Sequence, residues 1–110
     1  MRGVMHEREF KAFVSVADTG RMDAAARQLG YSQPAITYQI QCLERSLGFK
    51  LFTRHPSGVR LTRHGRSVLS SARAVLTLMN DIRNPRTDRE DETAQSPVEA
   101  AVPMVRKESA

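Results

Sequence analysis

Apolar residues recur at helical spacing along the first part of the chain, and the breaks between the runs fall on glycine. Phe10, Phe13, Val14 and Ala17 make one face of a helix from about residue 6 to 18, and Gly20 breaks it. Met22, Ala25, Ala26 and Leu29 make a second, short stripe closed by Gly30. The third helix is marked most fully. Ser32 stands at its N-cap, Pro34 falls in the first turn where a missing N–H is harmless, and Tyr31 can staple onto Ile36. Its apolar face is Ile36, Ile40, Leu43 and Leu47, and Gly48 ends it.

The pattern then loses its helical period. Leu51-Phe52-Thr53 and Val59-Arg60-Leu61 have strand character, and His55-Pro56-Ser57-Gly58 between them is turn chemistry. Thr62 can cap a fourth helix that runs to about Arg83. It carries Val68, Ala72, Val75, Met79 and Ile82 on one stripe, and Leu69 and Leu76 on an adjacent one. Two stripes on a helix about 30 Å long predict two packing partners, its own domain and a second body. The order helix, helix, helix, hairpin, helix predicts a mainly α fold, a winged helix-turn-helix. It comprises three helices, a β-hairpin wing and a long fourth linker helix.

Charge divides the chain. The whole carries +5, but residues 1–83 hold 13 of the 17 basic and 6 of the 12 acidic residues. Residues 84–110 are acidic, hold Pro85, Pro97 and Pro103, and have no aromatic residue. They are expected to form a disordered tail behind the winged helix-turn-helix domain at 1–83, a size at which a partner subunit often helps, with a dimerisation helix at about 62–83. From Arg45 to Arg73 there are seven basic residues and no acidic one. Arg63 and Arg66 lie in the first turn of the fourth helix, where a cation opposes the helix dipole, an arrangement that suits a phosphate partner.

The third helix supplies a candidate reading surface. With its apolar face inward, Pro34, Thr37, Tyr38, Gln41 and Arg45 point outward and Gln33 stands at the tip. These residue types suit base edges in a major groove: Gln for adenine, hydroxyls for either partner, apolar carbon for a thymine methyl. An ordinary solvated face is the alternative, but such faces mix signs, and no carboxylate occurs here before Glu44.

Ser32-Gln33-Pro34-Ala35-Ile36-Thr37 completes a recognisable pattern. It follows Phe10, Phe13-Val14, Val16-Ala17, Gly20, Ala24-Ala25-Ala26 and Leu29. It precedes Gln39-Ile40, Leu43-Glu44, Leu47-Gly48, Leu51-Phe52, Arg54, and Leu61-Thr62 with Gly65. From about residue 6 to 82 the chain resembles the N-terminal DNA-binding domain of LysR-type transcriptional regulators. The resemblance implies a bacterial cytoplasmic, nucleoid-associated regulator that binds double-stranded DNA as a homodimer, with fourth helices pairing across subunits. It places Gln33, Pro34, Thr37 and Tyr38 near bases, and Ser32, Arg54 and Arg60 nearer the backbone. Together with Gln41, Arg45 and Arg63 these form the expected DNA surface. Val68, Leu69, Ala72, Val75, Leu76 and Met79 form the expected dimer contact.

Three positions depart from the family pattern: Arg21 replaces the serine that usually caps the second helix, Ser57-Gly58 replaces a commonly basic wing site, and His64 replaces a small residue. The family also normally continues into a two-lobed effector-binding domain, so a stand-alone module or a truncated gene product is expected, with no small-molecule effector assignable. A protein-interaction module that forms heterodimers with a full-length LysR-type regulator is the alternative function. No enzyme is expected, because no nucleophile, base and orienting group can be assembled. His6, His55, His64 and Cys42 match no metal-ligand spacing, and neither metal nor cofactor is implied. One cysteine excludes a disulfide framework. No apolar run approaches the ~18 residues of a membrane span, and no membrane partner is expected.

Overall fold

Three of the helices stop at the expected glycines because the following amide turns back onto the helix. The Gly20 N–H donates to the Val16 carbonyl at 2.7 Å and the Gly48 N–H to the Glu44 carbonyl at 2.8 Å. The computed structural model describes residues 3–85, so the greater part of the expected tail lies outside the described residues. The order is α1 (Glu7–Thr19), α2 (Met22–Leu29), α3 (Gln33–Leu47), β1 (Phe52–His55), β2 (Gly58–Leu61) and α4 (Arg63–Arg83). The two strands pair antiparallel in one sheet. This is the winged helix-turn-helix read from the hydrophobic pattern. The chain divides into two units, Met1–Leu78 and Met79–Ala110. In the second, Asn84 closes the helix end, its amide donating to the Asn80 carbonyl at 2.9 Å.

The core of the first unit gathers Phe13, Val16, Ile36, Leu43 and Leu51, all fully buried, with Ala12, Ala25, Ala26, Ile40 and Ala72 filling the closer approaches. Here α1 departs from the expected face. Its buried centre is Ala12, Phe13 and Val16, whereas Phe10, Val14 and Ala17 are half-buried. The reason is that α1 packs against both α2 and α3 and also meets β2. A helix contacted on several sides buries small residues at its crossings, and even Ser15 and Glu9 go inside. Large apolar residues alone therefore misplace the centre of the face.

The hairpin is tighter than the turn chemistry predicts. His55 pairs with Gly58, leaving only Pro56 and Ser57 between the strands, and Leu51 lies before β1 rather than in it. Gly58 has φ 144°, and a Cβ there would collide with the Gly20 carbonyl oxygen. The same oxygen accepts the Val59 N–H at 2.9 Å, so the wing docks on the turn between α1 and α2. The Phe13 and Phe52 rings meet edge to face, 5.5 Å apart, and secure the base of the hairpin on α1.

The Lys50–Leu51 peptides join α3, the wing and α4. Glu44 Oε2 accepts the Leu51 N–H at 2.7 Å, and the Leu51 carbonyl accepts the Thr62 N–H at 2.9 Å. The Thr62 hydroxyl donates to the Lys50 carbonyl at 2.7 Å and, as the cap of α4, accepts the Gly65 N–H at 2.9 Å. Any side chain at Gly65 would strike the Leu51 carbonyl. Glu44→Ala should therefore cost about 1–3 kcal/mol by leaving the Leu51 amide and Lys50 without their acceptor. Gly58→Ala should cost about the same through backbone strain and the clash with Gly20. Urea unfolding measures both, and losses below about 0.5 kcal/mol would show that neither clamp matters.

Candidate nucleic-acid interface

The tip of α3 is built by its cap. Ser32 Oγ accepts the Ala35 N–H at 3.2 Å, which uses a lone pair and leaves the hydroxyl proton free to donate. Ser32, Gln33 and Pro34 are exposed there, and no acidic residue occupies the first turn. Along the outward ridge Thr37 is half-buried, while Tyr38, Gln41 and Arg45 are exposed. Burial of Ile36, Ile40 and Leu43 holds this ridge outward.

The ridge has two distinct flanks. Toward the wing, Thr37, Gln41, Lys50, Thr53 and Arg54 line a groove between α3 and the hairpin. Gln33 and Arg54 also share a depression with Arg21, Asp23 and the wing turn. Toward α1, Tyr38 and Arg45 line a separate cleft with His6 and Arg8. Cys42 links the two α3 residues. It hydrogen-bonds the Tyr38 phenol, holding it above its usual pKa, and Arg45 Nη2 lies 3.5 Å from its sulfur.

The basic run is less uniformly available than its sequence implies. Lys50 pairs with Glu44 at 3.7 Å and Arg73 with Asp18 at 2.6 Å. Folding brings carboxylates from earlier helices beside both, which the run of basic residues did not show. Arg45, Arg54, Arg60, Arg63 and Arg66 have no carboxylate partner among the described residues. Arg54 and Arg60 also separate. Arg54 pairs across the hairpin with Val59, and Arg60 pairs with Thr53, so alternation puts the two arginines on opposite faces. Arg60 shares a depression with Arg66 and Ala17 beside α1. Arg63 is exposed at the start of α4.

The structure thus gathers Gln33, Thr37, Gln41 and Arg54 around one groove, sets Tyr38 and Arg45 on the opposite flank, and leaves Arg60 and Arg63 apart. A family model for "bacterial regulatory helix-turn-helix protein, lysR family" matches residues 8–66, more than half of the chain. The chain belongs to the LysR family. A small neutral protease regulatory protein of Streptomyces coelicolor is 50% identical over 72 residues, which cover 66% of this chain and 23% of that protein. The transcriptional regulator TfdT of Cupriavidus pinatubonensis is 47% identical over 75 residues, covering 68% of this chain and 33% of the relative. Among solved structures, the CbnR DNA-binding domain in complex with DNA is 41% identical, with a TM-score of 0.68. The match covers 83% of this chain and all of that one. The BenM DNA-binding domain bound to catB site 1 DNA is 30% identical with a TM-score of 0.71, covering 79% of this chain and 96% of that domain.

The chain is therefore a LysR-family helix-turn-helix DNA-binding regulator domain, spanning a quarter to a third of the length of these two curated relatives. Among the described residues no helix is long and apolar enough to cross a membrane, and no cluster of three His, Cys, Asp or Glu could hold a metal ion. His64, one of the departures from the family pattern, stacks on Phe49 with ring centroids 4.5 Å apart. Gly58, another, is required by the docking of the wing on Gly20.

The third departure, Arg21, explains a pair that the sequence reading missed. As N-cap of α2 it offers no side-chain cap bond. Instead its guanidinium grips Asp23 in the first turn of α2 through two hydrogen bonds of 3.0 Å. That hydrogen-bonded pairing lowers the Asp23 pKa to about 2. A depressed carboxylate contributes stability above the ordinary carboxylate pKa and loses it as pH falls toward the folded value. In an NMR titration the Asp23 carboxyl should have its midpoint near 2, and Arg21→Ala should return it toward about 3.9. An unchanged midpoint in the variant would remove Arg21 as the cause.

Proposed function

We propose that this chain regulates transcription in the cytoplasm by binding specific duplex sequences as a homodimer, with α3 in the major groove. The observation that carries this reading is the outward ridge of α3, where hydrogen-bonding side chains have no carboxylate among them. Arginines without carboxylate partners among the described residues flank that ridge. Gln33, Pro34, Thr37, Tyr38 and Gln41 read base edges. Ser32, Arg45, Arg54, Arg60 and Arg63 contact the backbone. The DNA bound by the CbnR and BenM domains supports the same partner here.

The dimer reading rests on α4. Val68 and Leu69 pack against the core of their own chain and Ala72 is buried in it, so half of the expected dimer residues serve the domain itself. A helix rotates the next exposed apolar positions to Val75 and Leu78, which are 36% and 61% exposed. These, with Leu76 at the margin of the stripe, are the surface a second α4 would cover. The α4 of a longer LysR-family regulator would fit the same surface, which is the heterodimer alternative.

Two measurements test the proposal. Thr37→Ala and Tyr38→Ala should each cost about 1–3 kcal/mol on a selected operator while barely changing binding to a scrambled duplex. Arg54→Ala should weaken both alike and lower the salt slope by about one ion. Equal losses on both duplexes for Tyr38→Ala would show that α3 does not read bases. In sedimentation, the wild type should be dimeric and Leu78→Asp monomeric. A wild type already monomeric at tens of micromolar, yet pairing with a full-length relative, would favour the heterodimer.

A further inference from the structure

The cleft between α1 and α3 enters the reading above only through Tyr38 and Arg45, and its charges are arranged asymmetrically. On the α1 side the ionisable residues that line it are His6, Arg8 and Glu9. Glu9 is 4% exposed, and its Oε1 turns back to accept the His6 N–H at 3.3 Å. Lys11, further along α1, pairs with Glu7 at 3.6 Å. Arg8 is exposed, lines the cleft, and has no carboxylate partner among the described residues. From the α3 side Arg45 lines the same cleft, braced against Cys42. Among the described residues that line it, the cleft thus presents two arginines and one carboxylate, Glu9, which is turned inward.

Its position relative to the reading ridge gives these cations a use. A major groove about 12 Å wide is bounded by a phosphate strand on each side, so a helix lying in it meets backbone along both flanks. On the wing flank Arg54 stands beside Thr37 and Gln41. On the other flank Arg8 and Arg45 stand beside Tyr38. We infer that the α1–α3 cleft is a second backbone-phosphate site, in which Arg8 and Arg45 hold the DNA strand opposite the one held by Arg54. α1, which a helix-turn-helix uses as a support, here contributes a DNA contact of its own. The inference rests on α3 entering the groove, and it adds Arg8 of α1 to a flank where that reading places only Tyr38 and Arg45.

The test is titration of the full chain against a mixed-sequence duplex of about three helical turns at several salt concentrations. Arg8→Gln should lower the slope of log K against log salt by about 0.9, which at ~0.1 M salt is a loss of about eightfold. Arg8→Lys, which keeps the charge, should restore most of the slope. Lys11→Gln, on the same helix, should match the wild type. Thermal melts by circular dichroism identify any variant that has lost its fold, and Arg8→Lys then carries the comparison against Arg45→Gln. If the wild type and Arg54→Ala behave as proposed while Arg8→Gln keeps the wild-type slope and affinity, the second phosphate site is overturned and groove binding stands. If the wild type binds the duplex without salt dependence, groove binding itself fails and the cleft loses its partner with it.

Discussion

The structure depends most on the way one peptide, Leu51, is gripped from both sides. Its N–H is held by Glu44 of α3 and its carbonyl by the amide of Thr62, while its side chain is fully buried. Three elements therefore meet at a residue that belongs to none of them. Glu44 is the costly part of this joint, a carboxylate only 11% exposed. The charge-assisted bond to the amide and the ion pair with Lys50 offset its desolvation. Because the joint is built of directional hydrogen bonds, it sets the angle of the wing to α3 more tightly than apolar contact would. That angle is what puts Arg54 beside Thr37 and Gln41.

The wing is held at a second point, on the Gly20 carbonyl, and this ties the groove between α3 and the hairpin to the α1–α2 turn. Val59 donates to that oxygen and Gly58 leaves it room. The Arg21–Asp23 pair lies in the same depression, so the acidic side chain that lines it among the described residues already has its counter-charge. Arg54 thus sits beside a neutralised pair rather than an open carboxylate. The same logic governs Glu44 and Glu9. Each acidic side chain near the α3 ridge is spent on an internal contact, which leaves the surface cationic without requiring many cations.

Much of this was legible in advance, for reasons visible in particular residues. Ser32, Pro34 and the glycines that close three helices act locally, so the helices and their order follow from the chain itself. The separation of Lys50 and Arg73 from the available arginines was not legible. Their partners, Glu44 and Asp18, are placed by folding, and Asp18 is 55 residues away from Arg73. Nor could spacing show that Arg8 faces the same cleft as Tyr38, since no local signal reports which helix end lies beside which.

The sequence by itself determined the elements, the fold class and the family, because periodicity, caps and turn residues are read over a few neighbouring positions. Only the tertiary structure decided which face of α1 is buried, which residues of α4 face outward, and which arginines are available. It also decided that Arg54 and Arg60, six positions apart, lie on opposite sides of the wing. Each of these depends on a packing direction or a strand register. Those are settled by the sum of distant contacts, and no local run of residues encodes them.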